Sequence, residues 1–333
     1  MYKQKKSFLI FLVLLLPLVL LVSSAIGSIN IPLSEIFAIF LGEDSKQKQV
    51  FLSLRLPRIF LAALVGAALG VSGASIQGLF RNPLAEPGLI GILAGAALAV
   101  AIVTVFGHNF PQYLQIYTTS IASFLGGIIA CILVFRFAAF SGNSVAHMLL
   151  AGIAVNAISM AGVNFLIYSS NDQQMRALNF WLMGSFGGAV WTSVIACTVI
   201  VLPCIFFLNR KARDLNIMLL GEEEAHHLGV NSKKLKRHII IFTALCTGVA
   251  VAVSGPIGFI GLIVPHLIRF LVGTDNRLVI PASALLGAIL LVASDTIART
   301  LISPAELPVG ILTSLIGGPY FLFLLVKQYL RKA

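Results

Sequence analysis

Charge is scarce in this chain, and acid is scarcer. Only 11% of its 333 residues are charged and twelve are Asp or Glu, whereas about a quarter of an average soluble domain is charged. A soluble fold of this size needs polar residues to face water, so the shortage argues against one. The 58% of residues that are hydrophobic gather into runs near the roughly 20 that a bilayer-spanning helix needs. The fold class read from this is an all-α integral membrane protein.

Cysteine is sparse too. Cys131, Cys197, Cys204 and Cys246 lie in apolar runs with no CxxC spacing and no histidine cluster nearby. They read as small buried hydrophobes, and a disulfide framework is not expected. HExxH and GxSxG are missing, so no clustered acid, base or nucleophile marks a membrane enzyme. No lysine follows a glycine, so there is no GxxxxGK[ST] phosphate loop. An ion-coupled carrier usually displays carboxylates or histidines in mid-membrane. Here Asp295 alone falls well inside an apolar segment, near its outer end. It lies four residues before Arg299, the spacing of a local ion pair. Energy for transport would then come from ATP hydrolysed on a partner.

Ten apolar segments can be marked, at roughly 8–28, 58–80, 88–107, 116–137, 147–168, 190–209, 239–255, 258–273, 279–301 and 309–327. A shorter apolar piece, 177–187, reads as a re-entrant half-helix after the fifth span. The start resembles a signal peptide, but its apolar core is longer than the usual ~7–15 residues, so an uncleaved first helix is expected. Residues 1–333 read as a single polytopic membrane domain, interrupted most by the polar stretch 210–238.

The net charge of +11 sits mostly between apolar segments, as membrane topology requires, and does not point to nucleic acid. With cytoplasmic termini, Lys46, Lys48, Arg55, Arg58, Arg176 and Arg299 fall outside and the other 17 of the 23 Lys and Arg fall inside. The positive-inside rule favours that orientation, which puts 210–238 in the cytoplasm.

Residues 65–84 and 247–266 share Gly66/Gly248, Ala68/Ala250, Val71/Val253, Ser72/Ser254, Gly73/Gly255 and Pro83/Pro265, at an offset of 182. With ten spans the two copies run in opposite directions, the inverted-repeat plan of many transporters. Gly66/Gly70 and Gly91/Gly95 have GxxxG spacing, read as close helix packing. Prolines at 256, 265, 304, 308 and 319 break the second half. Broken backbone at membrane depth survives where protein or a water-filled path covers it.

Several stretches together carry a resemblance. RNPLAEPG, LLAGIAVNAI, LGEEEAHHLGV, SGPIGFIGLIVPHLIRFLVGTDNRLVIPASALLGA and AELPVGILTSLIGGPYFLFLL resemble the permease subunits of type II bacterial ABC importers. That family takes up ferric siderophores, haem and cobalamin. The resemblance runs in matching order from about residue 50 to 327. It implies a homodimer around a central path in the cytoplasmic (inner) membrane, two cytoplasmic ABC ATPase subunits holding the ATP, and an external substrate-binding protein. No permanently bound cofactor or metal is implied. SNDQQ-R-L-W-MGS-GGA and GEEEAH-LGV are similar to the haem-importing branch, which makes haem the expected cargo. Ferric siderophore or cobalamin is the alternative.

By the same resemblance, Arg55, Arg58 and Arg299 receive acidic residues of the docked binding protein, a pairing that arginine suits. Pairing inside the chain or with lipid headgroups is the competing reading. Arg176 sits at the outer mouth, where it would meet a haem propionate, while Phe180 and Trp181 offer aromatic surface. It would otherwise anchor a re-entrant turn. Asn156, Met160 and Asn164 recur every four residues, so they share one face of the fifth helix and point to the path or to a neighbouring helix. Asn82, Pro83 and Leu84 match gate positions, with Val145 and Ala146 expected on the gate's other side.

The segment Leu220, Gly221, Glu222, Glu223, Glu224, Ala225, His226, His227, Leu228, Gly229 invites a metal-site reading, since Glu223 and His227 are four apart. No further ligand accompanies them. Its apolar side, its glycine stop and the basic run that follows fit a coupling helix gripped by the ATPase.

Overall fold

The computed structural model describes residues 2–27, 29–42, 47–107, 112–140 and 145–330. Lys46, Arg331 and Lys332, counted above in the charge asymmetry, lie outside them. The described residues are helical with no strand. In order they form α1 (Tyr2–Ala25), α2 (Leu33–Phe40), α3 (Lys48–Val50), α4 (Leu56–Phe80), α5 (Ile92–Phe106), α6 (Gln112–Phe140), α7 (Val145–Tyr168) and α8 (Asp172–Leu182). Then come α9 (Trp191–Arg210), α10 (Ala212–Met218), α11 (Glu222–His227), α12 (Ser232–Ser254), α13 (Ile260–Val272), α14 (Asn276–Leu301) and α15 (Val309–Leu330). A π-helical stretch, Phe51–Arg55, fuses α3 to α4, and a 3-10 turn, Pro87–Ile90, precedes α5.

Among the described residues, seven helical segments are long and apolar enough to cross a bilayer: α1, α3 with α4, α6, α7, α9, α12 and α14. The apolar helices Ile92–Phe106 and Ile260–Val272 are shorter, as is the apolar stretch Val309–Phe323 that opens the 22-residue α15. All ten expected segments thus appear as helices, seven of them with full-length apolar stretches. At 1.5 Å per residue α13 is about 20 Å long, against a hydrocarbon core of about 30 Å.

The most enclosed helix is α4. In the segment that contains it 78% of the apolar window is buried, against 17% for α1. Its glycines account for this position. A Cβ on Gly66 would collide with the Gly287 carbonyl, one on Gly70 with the Ser283 carbonyl, and one on Gly73 with the Gly261 carbonyl. Backbones of α4, α14 and α13 therefore touch directly, the packing that small residues permit between membrane helices. Gly95 and Gly126 do the same between α5 and α6.

Three sequence expectations need correction. The second segment does not begin at 58, because the chain is already helical from Lys48 and the π-helical stretch keeps it so. An additional helix, α2, precedes it; at eight residues, with Ser34 and Glu35 among them, it is too short and too polar to register as a span. The short piece expected at 177–187 is instead α8, 172–182. An Asn171–Gln174 capping box starts it five residues earlier, and Gly184 at φ 68° lies just past its end.

The matched segments 65–84 and 247–266 also part company. The first is one unbroken helix through Gly73. The second stops at Ser254, where Gly255 adopts φ 70°, and restarts at Ile260. Pro256 stands where the first copy has Ala74. The residue before a proline is driven out of the helical region, so the break follows from that one difference.

Candidate substrate path and coupling segment

At one end of the bundle lies a buried charge network. Arg55, Arg58 and Arg299 are 6%, 8% and 4% exposed. The Arg58 guanidinium donates to both Asp295 oxygens at 2.9–3.1 Å, and to both Glu306 oxygens at 2.8–2.9 Å. Arg299 donates to the Ser23 carbonyl and hydroxyl, and its Nε stands 4.0 Å from Asp295. The i,i+4 pair expected from sequence is therefore the weaker contact. Asp295 is directed at α4 rather than along its own helix. Arg55 donates to the carbonyls of Ser24 and Ile29. The three arginines fasten α1, α4 and α14 together, and only Glu306, 41% exposed at its side chain, reaches solvent.

Next to α8 is a cavity of about 610 Å³ lined by Leu182, Met183, Pro256, Gly258, Gly310 and Leu315 among others. It forms where the end of α8, the α12–α13 break and the start of α15 converge, an arrangement held by Ser185 N–H donating to the Ser254 carbonyl at 2.8 Å. Arg176 is exposed on α8, with its Nε 3.3 Å from the Asp172 carbonyl. Phe180 is 64% exposed. Trp181 differs from it, being half-buried against Ala97, Val100 and Leu178, so α8 offers one free aromatic face and not two.

On α7, Met160 and Asn164 are exposed while Asn156 is half-buried. The Asn156 Nδ2 donates to the Gly88 carbonyl at 3.2 Å, which fixes the 3-10 turn; its Oδ1 is buried without a partner. The expected shared face is thus split between holding the turn and meeting whatever lies outside.

The 81–88 turn begins at Arg81, in the left-handed region at φ 52°. Asn82 Oδ1 accepts from the Leu84 N–H at 2.9 Å, and the Asn82 N–H donates to the Gln77 carbonyl. Leu84 is half-buried, and Val145 packs on the core that holds Phe80 and Ala85; Ala146 is exposed.

Sequence reasoning passed over Glu86. Its carboxylate accepts the Phe259 N–H at 3.1 Å, at the start of α13. Burial pushes its carboxyl up, and the Phe259 N–H offsets part of that. Phe259 is itself left-handed, at φ 69°. Its N–H stands at a helix start with no intrahelical partner, and Glu86 supplies one; no local pattern in the sequence marks that pairing.

The 210–238 stretch contains two short helices rather than one. Gly221, at φ 133°, separates α10 from α11, and Gly229, at φ 82°, ends the second. Leu215, Met218, Ala225, Val230 and Leu235 are buried in the main core. They face inward, while Leu220, Leu228 and the acids Glu223 and Glu224 are exposed. Glu222 pairs with Lys236 at 2.6 Å. His226 and His227 are exposed, and among the described residues no three His, Cys, Asp or Glu side chains gather to hold a metal.

A further polar node was not anticipated. Asn216, on α10, donates to Asp275 at 2.7 Å and accepts from the Asn276 backbone and side chain at 2.8 and 2.9 Å. Asp275 caps α14, and Arg277 holds its carboxyl down to about 2. The sequence signal was the TDN run before an apolar stretch, an N-cap pattern.

Apolar helices, some whole and some broken, border an open cavity at the end of α8, and beyond α9 an exposed pair of short helices is anchored in the core. This is the architecture of a multi-pass membrane permease. The chain belongs to the FecCD transport family, whose sequence profile matches residues 14–327. It is 45% identical over 325 residues to the hemin transport system permease protein HmuU of Yersinia pestis, covering 98% of this chain and 97% of that one. It is 39% identical to the vitamin B12 import system permease protein BtuC of Vibrio vulnificus, over 98% of this chain and 97% of that one. It is also 39% identical to the Fe(3+)-citrate import system permease protein YfmE of Bacillus subtilis, over 97% and 96%. A solved structure described as an inward-facing conformation of a metal-chelate type ABC transporter superposes with a TM-score of 0.87 at 36% identity, over 97% of this chain and 99% of that one. The chain is accordingly a type II ABC importer permease, and its relatives are transport subunits rather than enzymes.

Proposed function

We propose that this permease carries haem, taking it from an external binding protein to the cytoplasm while ATP is hydrolysed on partner subunits. The observation that carries the cargo is the 45% identity to a hemin permease along nearly the whole chain, against 39% for the vitamin B12 and Fe(3+)-citrate permeases. Arg176 and Phe180, exposed on the helix whose end lines the cavity, suit a flat apolar molecule with carboxylate arms. The working unit is a homodimer in the inner membrane with ten crossings per subunit and cytoplasmic termini. Two ATPase subunits grip α10 and α11, the turn at Asn82 and Leu84 closes the path opposite Val145 and Ala146, and Met160 and Asn164 line it.

Docking of the binding protein at the arginine end proceeds through Arg58. It is the arginine whose partner, Glu306, is solvent-accessible and can be exchanged for a carboxylate of another protein. Arg55 and Arg299 support it from below.

The test is uptake into vesicles reconstituted with the permease, its ATPase inside and the loaded binding protein outside. Hemin accumulation that requires ATP and falls in Arg176→Ala is expected. ATP-dependent uptake of cobalamin or ferric siderophore but not hemin would overturn the cargo. Uptake driven by an ion gradient without ATP would overturn the mechanism.

A further inference from the structure

We infer that α13 is the mechanical link between the ATPase-facing segment and the 81–88 turn, with Asn216 and Glu86 as the positioning residues at its two ends. The inference rests on the ATP-driven reading above.

At the α10 end, the Asn216 amide makes three bonds: its Nδ2 donates to Asp275, and its Oδ1 accepts two from Asn276. Asn276 is completely buried, and its own Oδ1 accepts from Arg269 of α13 at 3.2 Å. A displacement of α10 therefore reaches the last turn of α13 through a run of hydrogen bonds between side chains, from Asn216 through buried Asn276 to Arg269. Arg269 also donates to the Ala74 carbonyl of α4 at 3.1 Å.

At the other end of α13, Phe259 N–H donates to Glu86. Glu86 lies four residues beyond Asn82 in the same stiff turn, flanked by Pro83 and Pro87. Proline fixes φ and leaves such a turn few alternative shapes, so a pull on Glu86 moves Asn82 and Leu84 with it. Two residues past Phe259, at the same end of α13, Gly73 and Gly261 bring the α4 and α13 backbones together with no side chain between them. Gln77 Nε2 donates to the Leu262 carbonyl nearby at 3.1 Å. That bare crossing against the most enclosed helix is a pivot. Pro265 removes one ladder bond from the middle of α13 and leaves its last turn whole.

A residue that only stabilised the fold would lower the amount of working complex without changing how much ATP each transport event consumes. A linking residue changes that ratio. The measurement is ATP hydrolysed per substrate molecule accumulated, in the reconstituted complex, using the substrate that the wild type accumulates. Asn216→Ala and Glu86→Ala should each raise the ratio about tenfold, a typical coupling strength between distant sites. The double variant should raise it no further than the worse single, because the links act in series. Glu86→Gln keeps an oxygen for the Phe259 N–H and should keep the wild-type ratio. Leu61→Ala, a buried α4 position remote from the node, should lower thermal stability and leave the ratio alone. If an alanine variant does not assemble, Asn216→Asp and Glu86→Met are read in its place. The first sets a carboxylate against Asp275 and the second removes the acceptor at nearly constant size. A wild-type ratio in these variants, or effects that multiply in the double, would overturn the link. Wild-type uptake that ignores ATP would instead remove the importer reading and is seen before any variant is made.

Discussion

Arg58 bonds two carboxylates of unequal exposure, and the inequality sets what each contributes. Asp295 is 1% exposed at its side chain and Glu306 is 41% exposed. Removing one partner of a buried pair strands the other charge and costs about 3–5 kcal/mol, whereas exposed pairs contribute about 0–1 kcal/mol. Asp295→Ala should therefore destabilise the detergent-solubilised permease several times more than Glu306→Gln in thermal unfolding. Equal losses would mean that Asp295 is not what neutralises Arg58. Asp275 allows a second residue-scale test through pH. Its carboxyl is held at about 2, chiefly by the hydrogen bond from Arg277, below the ordinary Asp value of about 3.9. A lowered folded pKa stabilises the native state fully above the unfolded value, and the effect fades as pH falls through the folded one. Asp275→Asn should accordingly be less stable than wild type at pH 6. The gap in melting temperature should narrow steadily below about pH 4. A gap that did not change with pH would assign the effect to capping alone.

Between elements, stability depends on glycine faces more than on apolar bulk. Leucine at Gly66 would drive a side chain into the Gly287 carbonyl and the Leu291 side chain. Overpacking in a tight core costs about 1–3 kcal/mol, occasionally more, and this site, backed by main chain, belongs at the upper end. Gly66→Leu should lower the unfolding temperature, while Gly188→Ala, where nothing lies within reach of a Cβ, should leave it unchanged. The glycine spacing that marked this interface was legible because GxxxG is a local pattern. So were the apolar runs and the Gly229 stop. The partner of Asp295 was not legible, because Arg58 lies 237 positions away and an i,i+4 neighbour offered a nearer answer. Glu86 was missed for a related reason. It sits in a polar-looking turn that gives no sign of folding back against the start of α13. The α12–α13 break was legible too, since the apolar segments 239–255 and 258–273 part at Pro256.

For the molecule as a whole, the open quantity is how many helices cross, and parity decides it. If only the seven long helical segments cross, four of them (α1, α3 with α4, α6 and α7) precede α8. Position 7 and position 176 then share a face, and position 223, after α9, lies opposite. If the three shorter helices cross as well, α5 adds one crossing before α8. Position 176 is then alone on its face, while 7 and 223 share the other. The native cysteines are all buried, so single cysteines introduced at exposed Ser7, Arg176 and Glu223 can be labelled without background by a membrane-impermeant maleimide. Ten crossings predict that Ser7→Cys and Glu223→Cys react in inside-out vesicles and Arg176→Cys in right-side-out ones. Joint labelling of Ser7→Cys and Arg176→Cys from one face would instead leave α5 short of a crossing. The positive-inside rule independently favours the first outcome. With α5 counted, the basic runs Lys233–Lys234 and Lys236–Arg237 join the N-terminal lysines on one side, where an ATPase gripping α11 must also sit.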